Sequence, residues 1–296
     1  MKKISLALIG LISQTVLWAQ DTTSTTILAS DPTQVYTHID FNGGINFESY
    51  PNHFGPESWD FNLTGNIAIK NFLIGSRIPF TNNGSTYSLL GDMDVFASYR
   101  LFNRDGFFKA SMLRGGVLFP TSYDGYGVSL GQVNNGFFNL YLSYTAALEV
   151  TPKLSIYPIV GVRQYQSVQQ PLYVTFPTDT SFMISELPEF TQTALNVGLT
   201  LSYDFSPKSF LQLNVFYERG IWNITEGTGI YESRKEEFTR SVFRYSLKYQ
   251  YSLTSRSFLY LQAAYYPKEK WFEPFNLDMG YNRYKIILGY QYFLGK

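Results

Sequence analysis

The chain has two histidines, His38 and His53, with which to do acid–base or nucleophile-activating chemistry. His53 precedes Glu57 and Asp60 closely enough in sequence to raise the question of a relay. A hydrolytic site would need that histidine held against a serine or an aspartate at a rim of the fold. The spacing does not dictate such a geometry, and a solvated histidine in a connecting segment accounts for the same residues. GYGVSLG at 125–131 has the glycines of a phosphate loop without its spacing or a following helix, so it reads as a connection. The chain contains no cysteine, which removes disulfides, thiolate metal sites and a lipidated N-terminal cysteine. No metal-ligating cluster and no cofactor motif is apparent, and the chain reads as non-enzymatic.

What the sequence does offer is organised charge. In SVFRYSLKYQYSL, residues 241–253, Arg244, Ser246, Lys248 and Gln250 alternate with Phe243, Tyr245, Leu247, Tyr249 and Tyr251. On a helix each two-residue step turns through about 200°, which would scatter the aromatics round the cylinder. On a strand the same residues separate into one apolar and one polar face. The polar faces collect acids early in the chain, Asp40, Glu48, Asp60, Asp92 and Asp94, beside His38. Bases come late, with Arg240, Arg244, Lys248, Arg283 and Lys285. These residues are the candidate lining of an interior.

The elements that must position them are twelve alternating segments, at about 36–48, 58–70, 71–80, 87–101, 107–120, 137–150, 154–166, 191–205, 209–220, 238–253, 257–266 and 281–294. Every second connection is short and built from turn formers, as in Lys70-Asn71, Thr151-Pro152-Lys153 and Ser206-Pro207-Lys208. The others are longer, at 49–57, 81–86, 121–136, 167–190, 221–237 and 267–280. In an up-and-down sheet alternate connections share an end, so one end is trimmed and the other carries long loops. Segments of about 11 residues, at ~3.4 Å per residue and tilted by ~40°, stand roughly 30 Å tall, the height of a bilayer's apolar band with its borders.

Composition agrees. Aromatics make up 18% of the chain and charged residues 16%, against an ordinary charged share of about 25%. Apolar faces such as Leu195, Val197, Leu199 and Leu201, or Tyr284, Ile286, Leu288 and Tyr290, carry no charge. A soluble sandwich also alternates, but it explains neither the one-sided loops nor the aromatics at strand ends. The sequence therefore predicts an all-β, up-and-down antiparallel transmembrane β-barrel of about twelve strands, with outer-membrane lipid on its apolar faces. With 23 basic and 23 acidic residues there is no global field to attract nucleic acid.

Two segments resist simple alternation. In FFKASMLRGGVLFP, 107–120, Lys109 and Arg114 fall on opposite registers, so a bulge near Leu113 or Gly115-Gly116 is expected to turn both inward. In 257–266 both faces are apolar, which predicts that one of them packs an interior cluster.

The first residues, MKKISLALIGLISQTVLWAQ, read as a signal peptide over 1–19, cleaved near Ala19. Residues 20–34 read as a flexible lead-in, and 35–296 as the barrel, with both termini on the periplasmic side. The ending Gly289-Tyr290-Gln291-Tyr292-Phe293-Leu294 is similar to the terminal-strand signal of outer-membrane proteins, with Leu294 in place of the usual last aromatic. With the leader and the strand pattern, the mature chain resembles the bacterial outer-membrane β-barrel superfamily and its porin-like members. The resemblance implies insertion by the barrel-assembly machinery. For function, two readings stay open: a narrow passive channel for small polar solutes, or a non-conducting structural or ligand-binding barrel whose lumen is filled by salt bridges. The loop at 167–190 suits either a constriction or an outside docking surface.

Overall fold

The computed structural model describes residues 30–50, 53–82, 93–119, 137–167, 172–175, 181–184, 189–225, 237–267, 270–272 and 282–295. Twelve long strands form the wall: β1 Thr37–Tyr50, β2 His53–Ile69, β3 Phe72–Asn82, β4 Met93–Asn103, β5 Phe108–Phe119, β6 Phe137–Thr151, β7 Leu154–Ser167, β8 Glu189–Ser206, β9 Ser209–Thr225, β10 Glu237–Ser252, β11 Ser257–Tyr266 and β12 Asn282–Gly295. Each pairs antiparallel with its neighbours in sequence, and β12 pairs with β1, closing the barrel. A three-residue piece, Lys270–Phe272, extends the wall beside β10. A small separate hairpin, Leu172–Thr175 with Ser181–Ile184, lies within the 167–190 connection.

Closure leaves no wall strand as a free edge, which a sheet in hydrocarbon requires because no water is present to satisfy free N–H and C=O groups. The short turns follow local chemistry. Lys70, at φ 55°, and Asn71 join Ile69 to Phe72, and Gly106 takes φ 112° in the β4–β5 turn. Outward positions are apolar and exposed, among them Leu199, Leu247, Ile286 and Leu288, while Asn196 and Gln250 on the opposite face are buried. Near the loop side, outward rings touch across four strands: Tyr217 with Phe243, then Tyr245, Tyr265 and Tyr284. Such a band suits the lipid headgroup level, where aromatic rings are enriched.

Three expectations need correction. The connection at 49–57 is not a long loop, because β1 and β2 continue until Tyr50 faces His53. Pro56 is tolerated within β2 because the register slips between Asn46 and Phe47 opposite it. The bulge in β5 falls between Phe108 and Ala110 rather than near Leu113 or the glycine pair. It still reconciles the two charges: Lys109 pairs with Glu149, and Arg114 with Asp94. Third, residues 30–34 are packed inside the barrel, because Thr33 and the following Val35 find buried sites there. Residues 1–29, with the expected leader, lie outside the described residues, as does the 125–131 stretch.

Candidate functional site

Strand alternation sends His38, Asp40 and Asn42 of β1 into the lumen, and Asp40 becomes the centre of a polar cluster. Its Oδ1 accepts from Tyr260 Oη at 2.9 Å and Asn42 Nδ2 at 2.9 Å, and its Oδ2 accepts from Gln291 Nε2 at 2.6 Å. Gln291 in turn accepts from the fully buried Gln250 at 3.1 Å. The Tyr260 ring lies flat on β12 because residue 289 is glycine; a Cβ there would come within 2.1 Å of the ring. Lys248 sits over that ring, 4.2 Å from its centroid.

The opposite side of the barrel repeats the arrangement. Tyr141 lies on Gly116 of β5, where a Cβ would meet it at 2.4 Å, and donates to Asp94 Oδ1 at 2.9 Å. Arg114 approaches Asp94 Oδ2 at 3.7 Å and stacks over Phe96, 3.6 Å from its centroid. Each cluster thus joins a carboxylate, a tyrosine seated on a glycine, and a cation over a ring. Further round the wall Lys285 pairs with Asp60, and Arg163 lies 3.8 Å from Glu218.

The charges read from the sequence as an acidic set and a basic set are therefore engaged through local pairs. Arg283 stands opposite Glu48 in register and Lys285 opposite Asn46, as closure of the barrel predicts. Arg283 lies 5.7 Å from the Tyr266 ring centroid, and Arg244 lies 5.7 Å from that of Phe216. Glu48 and Arg240 are placed by their strands, but their side chains, and Asp92 altogether, lie outside the described residues. His38 is held by Asn66 Nδ2 at 2.8 Å from its Nε2 and stacks on Phe293 at 5.0 Å. His53 begins β2, with its side chain outside the described residues. Among the described residues no group of His, Asp and Glu could hold a metal ion.

Sequence reasoning missed a strap formed by Ser30–Tyr36. Gln212 of β9 donates to the Ser30 carbonyl at 2.6 Å. Val35 packs with Leu73, Phe96 and Met112 of β3, β4 and β5, and Tyr36 packs with Phe258 and Phe293 of β11 and β12. Strands β3 and β9 are half a turn apart in a ring of twelve, so the strap crosses the lumen from wall to wall. Leu73, Phe258 and Phe293 lie close to the short turns, which places the crossing at the turn side. Burial raises the Tyr36 hydroxyl above its ordinary pKa, with Arg100 opposing and Asp31 adding to the rise. Beside the strap lies a cavity of about 370 Å³ lined by Gln34, His38, Asp40, Asn66, Arg77, Asp94 and Arg114, among others. The signal for the strap was present in the apolar inward residues of β11, whose predicted interior cluster is Phe258 packed on Tyr36.

No protein-family model and no curated protein matches the chain. Among solved structures it is similar to the NanC porin, at 12% identity and a TM-score of 0.45, covering 86% of this chain and 98% of that one. The KdgM porin in complex with disordered oligogalacturonate gives 14% identity and a TM-score of 0.45, with the same coverage of 86% and 98%. The beta domain of the Bordetella autotransporter BrkA gives 12% and 0.43, covering 88% and 99%. At these values the likeness is one of general barrel shape. The chain's own closed pairing and its apolar exterior establish a twelve-stranded antiparallel β-barrel.

Proposed function

We propose that the protein sits in the bacterial outer membrane with its short turns toward the periplasm, and that its lumen is a narrow passive passage for small polar solutes. The observation that carries this reading is the cavity of about 370 Å³ lined mostly by charged and amide side chains, together with Leu73, Phe96 and Phe293. It has room for roughly ten waters or one small solute. Paired charges round the wall favour dipolar solutes over strongly charged ones, because a paired wall presents dipoles rather than a net field. Insertion by the barrel-assembly machinery accompanies this reading. The runner-up, a closed structural or ligand-binding barrel, is favoured by the strap and by the burial of Gln250, Ser111 and Thr33 inside. Refolded protein in a planar bilayer separates the two: the channel gives discrete conductance steps of small amplitude, whereas persistent silence from barrel-folded protein selects the closed form.

A further inference from the structure

We infer that the turn-side part of the lumen is a peptide-binding site, occupied in cis by Ser30–Tyr36, and that release of this strap widens the passage. The barrel closes without the strap, since each of the twelve wall strands is paired on both sides and the first paired residue among the described residues is Thr37. Ser30–Tyr36 takes no part in any strand ladder and is held as a ligand is held. Val35 enters one apolar pocket, and Tyr36 enters a second, edge-on to Phe293 with ring centroids 5.9 Å apart. Gln212 anchors the far end through the Ser30 carbonyl at 2.6 Å.

The ligand is also pre-organised. Asp31 Oδ1 accepts from Thr33 N at 2.8 Å and Thr33 Oγ1 at 2.7 Å, and Gln34 N donates to the Asp31 carbonyl at 3.3 Å. Asp-Pro-Thr-Gln thus forms a compact turn with proline at its second position, where the fixed φ suits it. A turn followed by a β-branched aliphatic residue and an aromatic one is the chemistry this site recognises. The receptor side has apolar residues on lumen faces that an aqueous passage alone would not require. Tethering supplies an effective concentration on the order of millimolar, so modest intrinsic affinity suffices to keep the site filled.

The test uses a barrel lacking residues 20–36 and a fluorescent peptide with the sequence of 30–36. Folding of the barrel is checked by its heat-modifiable gel mobility. The peptide should bind the truncated barrel saturably by anisotropy, at least tenfold more weakly when it carries Val35→Asp, and it should not bind the full chain. In bilayers the truncated barrel should conduct severalfold more than the full chain, and peptide added at the turn side should reverse the gain. Absence of binding to folded truncated barrel, or equal binding to the full chain, overturns the site. Val35→Asp in the full chain leaves all twelve strands intact and should admit the wild-type peptide; exclusion as complete as in the wild type also overturns it. The gating half rests on the channel reading, and the two fail separately: peptide binding with silent bilayers sinks the channel alone, and equal conductance without peptide binding sinks the site alone.

Discussion

Asp40 shows how a single inward carboxylate is made tolerable at the level of lipid. It is buried, yet three donors and a nearby ammonium meet it: Tyr260, Asn42, Gln291 and, over the tyrosine ring, Lys248. A buried charge is costly unless paired and hydrogen-bonded, and removing one partner leaves the other uncompensated. Asp40→Asn keeps the shape, but turns an amide N–H₂ toward groups that already donate and strips the charge opposite Lys248. Hydrogen bonds to charged groups contribute about 1.5–3 kcal/mol each, so a loss of about 2–3 kcal/mol is expected by urea unfolding in lipid vesicles. Adding Lys248→Met should recover roughly half, as coupled neighbours do. Simple additivity of the two losses would show that Lys248 does not depend on Asp40.

At the scale of the strand, the two-residue period decides which solvent each side chain meets, and β10 is the clearest case. Leu247 is 46% exposed on the outer face, while Ser246 beside it accepts from Asn214 Nδ2 at 3.0 Å inside. Leu247→Arg should cost about 2–4 kcal/mol in vesicle unfolding, the penalty of a guanidinium facing acyl chains at mid-depth. Ser246→Arg, one residue away and turned to the lumen, should cost well under half of that. Equal costs would mean the outer face is not in lipid. This periodicity is why the strand number, the closure of β12 on β1 and the opposition of Arg283 and Glu48 could be read from the sequence. What could not be read depends on local irregularity. The β5 bulge is set by how Phe108 and Ala110 meet Leu148 and Ala147 across the ladder, which no one-strand pattern contains. The strap was hidden because Pro32 and a run of polar residues look alike in a free tail and in a hydrogen-bonded turn. Only the surplus of apolar lumen residues, Leu73, Phe96, Met112, Phe258 and Phe293, distinguishes the two.

For the molecule as a whole, the strap contributes charge as well as bulk, so its presence should set ion preference. The cavity beside it is lined by the carboxylates Asp31, Asp40 and Asp94 and the guanidinium groups Arg77 and Arg114. Asp94 is answered by Arg114, and Asp40 by Lys248 above Tyr260. That leaves Arg77, which has no ion pair among the described residues, and Asp31 of the strap, which lines the same cavity. Counting Lys248 with the lining residues, the cavity is close to neutral with the strap in place and carries one excess positive charge without Asp31; on the channel reading proposed above, a single charge in a narrow pore biases which ion enters. Under a potassium chloride gradient the full chain should therefore reverse near zero, and a barrel lacking residues 20–36 should shift toward anion preference. Arg77→Gln in that truncated barrel should return the reversal potential toward zero, whereas Arg244→Gln, whose group lies by Phe216, should move it less. A truncated barrel that prefers cations would show that the carboxylates of the wall, and not Arg77, govern what passes.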